Sequence, residues 1–158
     1  MTTPADAIAR IIESFPLAAL GVVDDRGPAL SQVGFAVTRG PLSFHLLVSS
    51  LAAHTAALAA DPRCALLLSE RDDDSGLASP RLSIRGRASF VSREDAEARG
   101  ITAAYRARHP MAETLLGLAD FRFVTIEPAE GTLILGFGRA FELSGPDLET
   151  SRHVRPGK

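Results

Sequence analysis

Tryptophan is missing from this chain of 158 residues, tyrosine and cysteine occur once each, and aromatic side chains make up only 6%. The single thiol, Cys64, cannot close an internal disulfide, and no Cys–His cluster with metal-ligand spacing accompanies it. The chain therefore reads as a reduced, cytoplasmic protein with Cys64 a buried spectator in an apolar stretch. No Lys/Arg cluster stands out and the net charge is −2, which argues against nucleic acid as a partner, since phosphate binding needs a concentrated basic face. The apolar run Leu17–Val23 is seven residues between Pro16 and Asp24, short of the ~20 that a membrane-spanning helix needs. The basic–apolar–small-residue order of a signal peptide is not found near Met1, and no membrane partner is expected.

What is present is globular composition, 46% apolar and 23% charged, at a length that suits one domain. Thr3-Pro4-Ala5-Asp6 starts a helix, and Ile8, Ile11, Ile12 and Phe15 recur at helical spacing until Pro16, so 1–16 reads as an N-terminal helix. Leu17–Val23, Ala29–Val37 and Leu42–Val48 are β-compatible runs divided by hairpin-length turns. A helix from Ser50 to Ala60 interrupts them, and Arg63–Ser69 follows as a strand. Residues 71–76 read as a solvated acidic loop. Arg81–Val91 alternates over a long strand whose Gly86 signals a bulge or a close backbone approach. Ser92-x-x-Asp95 caps a helix that runs to about Arg108, and a short helix reaches about Leu118. Phe121–Glu127, Leu133–Phe137 and Ala140–Leu143 supply the closing strands, and 145–158 is a polar tail. The expectation is one mainly β domain with inserted helices, a six- to seven-stranded antiparallel barrel over 17–144 that hides its own edges.

The most informative stretch is Val48–Thr55. A strand ends, Ser49 and Ser50 follow, and a helix begins whose free N–H groups favour an anion, with His54 and Thr55 in reach. Plain N-capping by either serine is the competing reading. Ser31, Gln32, Val33 and Gly34 set polar groups into an apolar strand, where they hold the edge of a flat heterocycle or face outward. Arg81, Arg85 and Arg87 share one face of a strand and could collect an anion or stand in solvent. His45 reads as a packing residue within a strand, and His109, before Pro110, as part of a helix stop. His153 lies in the polar tail. No catalytic acid, base or nucleophile identifies itself, and no nucleophile elbow supports a Ser–His–Asp hydrolase.

Together these pieces resemble the pyridoxamine 5′-phosphate oxidase-like split β-barrels, in particular their haem-utilisation branch. The matching residues are Ser50-Leu51-Ala52-Ala53-His54-Thr55, Asp61-Pro62-Arg63 and Arg81 to Gly86. Tyr105 through His109-Pro110, Asp120-Phe121-Arg122-Phe123 and Gly136-Phe137-Gly138-Arg139-Ala140 continue them in order, covering about Leu17 to Leu143. The resemblance implies a homodimer of split barrels with cofactor pockets at the interface. Its flavin-binding members would place Ser31, Gln32, Val33 and Gly34 along the isoalloxazine ring and Ser49, Ser50, His54 and Thr55 at the FMN phosphate. Arg81 falls where the oxidases carry a flavin-contacting glutamine, His54 replaces their phosphate-binding lysine, and Ala57 stands where asparagine is common. On this basis the first expectation is an FMN-dependent oxidoreductase acting on a small-molecule redox substrate. The alternative is a haem-binding, haem-degrading protein using the same pocket, with His153 on the iron and Asp120 orienting it. A non-catalytic ligand-binding barrel is the third reading.

Overall fold

The computed structural model describes residues 2–71 and 76–155; the middle of the expected acidic loop, 72–75, lies outside the described residues. Helix α1 (Pro4–Ser14) starts as its sequence dictates: Thr3 Oγ1 accepts from the Asp6 N–H at 3.1 Å, and the Asp6 carboxylate accepts from the Thr3 N–H. Its buried stripe of Ala7, Ile8, Ile11 and Ile12 packs on the sheet, each isoleucine contributing about 1.5–3 kcal/mol.

Strands β1 (Leu17–Asp24) and β2 (Gly27–Gly34) form a hairpin, paired from Leu17↔Gly34 to Asp24↔Gly27. The expected strand Ala29–Val37 is in fact broken at Phe35. That ring is fully buried and its N–H donates to the Pro16 carbonyl (3.1 Å), so the chain leaves β1 and restarts as β3 (Ala36–Thr38) against β4 (Ser43–Ser49). Helix α2 (Ala53–Ala60) leads to β5 (Arg63–Ser69), then β6 (Arg81–Val91). The expected long helix after Ser92 is two, α3 (Arg93–Ala98) and α4 (Ile101–Arg108), divided by Gly100 at φ +75°. A short α5 (Ala112–Leu116) precedes β7 (Phe121–Ile134), β8 (Ala140–Ser144) and β9 (Thr150–Val154).

The sheet runs β2-β1-β5-β6-β7-β4-β3, all pairs antiparallel, with β8 added to β7 and β9 to β8. It curls as a split barrel around Leu20, Phe44, Leu46, Leu66, Ile84, Val124 and Ile126. A second cluster, with Leu47, Ile101, Tyr105 and Phe123, lies under α3–α5. Arg108 joins the two layers. Its guanidinium donates to the carbonyls of Ile12 and Phe15 and lies 4.7 Å from the centre of the Phe35 ring.

Two expectations need correction. Phe121–Glu127 and the first two residues of Leu133–Phe137 are not separate strands but parts of the 14-residue β7, and 135–137 lie in the turn beyond it. The turn-like residues between them sit at a bulge, where pairing shifts from Arg85↔Glu130 to Gly86↔Pro128. Proline needs no ladder partner there, and a Cβ on Gly86 would stand 2.4 Å from the Glu127 carbonyl oxygen. The tail is not structureless either, since Thr150–Val154 pairs along β8 from Ser144↔Thr150 to Ala140↔Val154. No helix among the described residues is long and apolar enough to cross a membrane.

Candidate functional site

Ser49 ends β4, and the helix expected from Ser50 begins only at Ala53, with Ala52 as its N-cap and no capping side chain. The serines are engaged elsewhere. Ser49 Oγ donates to Asp120 Oδ2 at 2.8 Å and accepts from the Leu51 N–H at 3.1 Å. Ser50 donates twice to the Asp120 carbonyl, from its N–H at 2.7 Å and from Oγ at 2.8 Å. Buried Thr55 donates from Oγ1 to the Ser49 carbonyl at 2.6 Å.

All three hydroxyls of the expected phosphate cradle are thus donated to protein acceptors, and one acceptor is a carboxylate that repels an anion. His54 supplies no compensating charge. Its Nδ1 lies 3.0 Å from Ser31 Oγ, and burial lowers its pKa, which favours the neutral ring. What remains for an anion is the uncapped start of α2. A flavin phosphate therefore does not fit this corner as it stands.

Of the four residues expected along a flat ring, the structure brings only Ser31 to His54, beside a cavity of about 110 Å³ lined also by Val22, Asp24, Ala29, Leu30 and Ala53. Gln32 is exposed and Val33 belongs to the core. Gly34 lies under α4: a Cβ there would stand 2.9 Å from His109 Cε1 and 3.0 Å from the Tyr105 hydroxyl. Arg81 stands apart from this group. It heads β6, donates to the Ser79 carbonyl, and shares a cross-strand row with Ile134, Ala140 and Val154.

That row borders His153, which is exposed on β9. Its Nε2 lies 2.9 Å from the Gly138 carbonyl, and its ring meets the Phe141 ring edge-on at 5.2 Å. A carbonyl only accepts, so Nε2 carries a proton, and in the neutral ring the lone pair falls to Nδ1. Phe137, at the tip of the adjoining turn between Gly136 (φ +119°) and Gly138 (φ +73°), is 96% exposed. Within one chain His153 and Asp120 do not meet. His153 lies opposite Phe141, which pairs with Leu133, whereas Asp120 precedes Phe121 at the other end of β7. At about 3.3 Å per residue that is roughly 40 Å along the strand.

Sequence reasoning missed the Asp120 carboxylate as the partner of Ser49. No local signal marks a contact across 71 residues. His45, read as a packing residue, is fully buried between two hydroxyls, Thr38 Oγ1 at 2.7 Å from Nε2 and Thr125 Oγ1 at 2.9 Å from Nδ1. Burial, with a smaller contribution from Arg99, lowers its pKa to about 4. His109 closes α4, stacks on Tyr105 at 4.3 Å and bonds the Phe35 carbonyl at 2.8 Å. Among the described residues no three His, Cys, Asp or Glu side chains converge to hold a metal ion.

The strand order and the curl of the sheet define a split-barrel fold. A family model for pyridoxamine 5′-phosphate oxidase matches residues 4–135, and the chain belongs to that family. It is 41% identical over 101 residues to a chloroplastic heme oxygenase, HOZ, of Arabidopsis thaliana, covering 63% of this chain but only 30% of that protein. To the heme oxygenase HutZ of Vibrio cholerae it is 28% identical over 142 residues, 87% of this chain and 80% of the other. A solved heme-binding protein from Mycobacterium smegmatis superposes with a TM-score of 0.81 at 26% identity, covering 94% of this chain and 60% of that one. The chain thus spans well under the full length of two of these three.

Proposed function

We propose that this chain binds haem and takes part in its oxidative breakdown, as a homodimer with the pocket at the subunit interface. One observation carries the choice of haem over flavin: the hydroxyls that would cradle an FMN phosphate are bonded to Asp120 and Ser49 instead. The FMN-dependent oxidoreductase reading, placed first from the sequence, becomes the weaker one and rests on family membership. The relatives named as heme oxygenases support the same ordering.

His153 is the residue we assign to the iron. Its Nε2–H donates to the Gly138 carbonyl, the kind of acceptor to which a metal-bound imidazole gives its remaining N–H. Bound haem supplies an iron that activates oxygen against its own ring, given an electron donor. Asp120 is held by Ser49 and Ser50 so that its carboxylate keeps one orientation. It is assigned to the His153 of a second copy, since its own lies at the far end of β7, and there it takes the place of the Gly138 carbonyl, because an imidazole on iron has one N–H to donate. Cytoplasmic residence completes the proposal, supported by the free, buried thiol of Cys64.

The test is a haemin titration followed in the Soret region, with an FMN titration beside it. Wild type is expected to give a Soret band, and His153→Ala to weaken binding at least ~10-fold through loss of the ligand. A protein that purifies yellow with FMN, and whose haem spectrum ignores His153→Ala, would overturn the reading.

A further inference from the structure

Strand β9 carries His153 yet has no buried face of its own. All five of its residues are exposed, and its only ladder is with β8. Burial of one face is what fixes the register of a strand. A strand exposed on both sides slips easily, and a slip of one residue turns every side chain to the other face. In β9 such a slip would set Arg152 or Val154, rather than His153, opposite Phe141. The Arg152–Glu142 pair across the ladder is exposed, and exposed ion pairs resist little.

The turn ahead of β9 is built to supply what the strand lacks. Residues 145–149 join β8 to β9, and the Leu148 N–H donates to the Gly145 carbonyl at 3.0 Å. Leu148 lies at φ +54°, the one non-glycine residue at positive φ among the described residues. Left-handed backbone crowds a Cβ, and glycine or asparagine adopts it at less cost. What the leucine brings is its side chain, 2% exposed within the barrel core that also holds Leu42 and Phe44. Asp147 adds a polar tie. Its Oδ1 accepts from the Leu42 N–H at 2.6 Å, just ahead of β4, and its own N–H donates to Glu149 Oε2 at 2.9 Å. The Glu149 carboxylate closes over Gly145, where a Cβ would stand 2.5 Å from it. Strained backbone persists only where its surroundings over-determine it, and here a core anchor and a hydrogen bond to another strand's start do so. Turn geometry fixes the register of a hairpin, so this clamp reaches His153, five residues on.

We propose that Asp147 and Leu148 are positioning residues for His153: by fixing the 145–149 turn on the barrel they set the register of β9, and so the face on which the imidazole stands. This rests on the reading of His153 as the iron ligand and names what holds that ligand in place.

Nuclear magnetic resonance of the unliganded chain and haemin titration together test it. His153 meets Phe141 edge-on, so its ring C–H signals carry a shift from that ring. His153→Ala assigns those signals among the four histidines, and Phe141→Leu shows where they fall without the shift. Asp147→Ala and Leu148→Gly should each remove the shift and weaken haemin binding at least ~10-fold, the usual loss when a ligand's supporting group is removed. Asp147→Asn keeps an acceptor for the Leu42 N–H and should restore both. Ile8→Val, a core loss in α1 remote from the hairpin, should change neither. Should Leu148→Gly fail to fold, Asp147→Ala decides. Variants that keep the shift, or that lose it and still bind haemin as tightly as wild type, overturn the inference and leave the proposed function standing. Haemin binding unchanged by His153→Ala overturns the proposed function, while the ring shift still decides whether the turn sets the register.

Discussion

The corner around Asp120 and the β8–β9 hairpin hold the two groups of residues that the sequence marks for cofactor binding, and they are built on opposite terms. In the corner each hydroxyl has a protein partner: Ser49 on the Asp120 carboxylate, Ser50 on its carbonyl, Thr55 on the Ser49 carbonyl. In the hairpin β9 is exposed along its whole length and carries His153, and Phe137, in the adjoining β7–β8 turn, stands in solvent. The corner's polar groups are engaged in holding β4, α2 and β7 together; in the hairpin Arg152 pairs with Glu142 and His153 Nε2 with the Gly138 carbonyl, and the second nitrogen of the exposed His153 ring has no protein partner among the described residues. Polar residues at a strand end therefore look alike in sequence, and only their partners separate a structural role from a binding one.

Acid should stress the closed side of this comparison most. His45, buried four residues further up β4 between Thr38 and Thr125, has a folded pKa of about 4 against about 6.5 when exposed. The unfolded chain thus takes up the proton first, so stability is full above pH 6.5 and falls as the pH drops towards 4. The loss approaches on the order of 3 kcal/mol. Denaturant midpoints measured from pH 7 to pH 4 should show this slope, and His45→Gln should flatten it. Asp120→Ala comes next, about 2 kcal/mol, because Ser49 Oγ loses its acceptor, while Asp120→Asn should recover most of it. Thermal melts of the pair decide whether the tie matters for stability. Thr55→Val should cost about 1 kcal/mol by removing one of the two hydrogen bonds that the Ser49 carbonyl accepts, the other coming from the Ala52 N–H. Smallest of all, His153→Ala should move the melting free energy by less than about 0.5 kcal/mol although it weakens haem binding. A large stability loss there would erase the contrast between the two regions.

Much of the fold was legible. An apolar run located β1, alternation located β6, Thr3 and Asp6 announced α1 through reciprocal hydrogen bonds only three residues apart, and Gly86 flagged the bulge. What stayed hidden depended on distant neighbours. Pro128, Glu130 and Gly131 look like breakers until Gly86 across the ladder makes room for them in one strand. Thr150–Val154 shows no alternation because neither face of β9 is covered, so a strand and a polar tail read alike. Ser50 looks like a helix cap, yet its acceptor comes from Asp120, 70 residues later.

The sequence by itself determined the antiparallel barrel with its inserted helices and the kinship that goes with it, because alternation, caps and turn residues act over a few positions. Tertiary structure decided the rest: that Ser49, Ser50 and Thr55 hold the protein to itself, that His153 stays exposed, and that Leu148 reaches the core. Hydrogen-bond partners and burial are set by chain segments far apart in sequence, and folding alone brings those together.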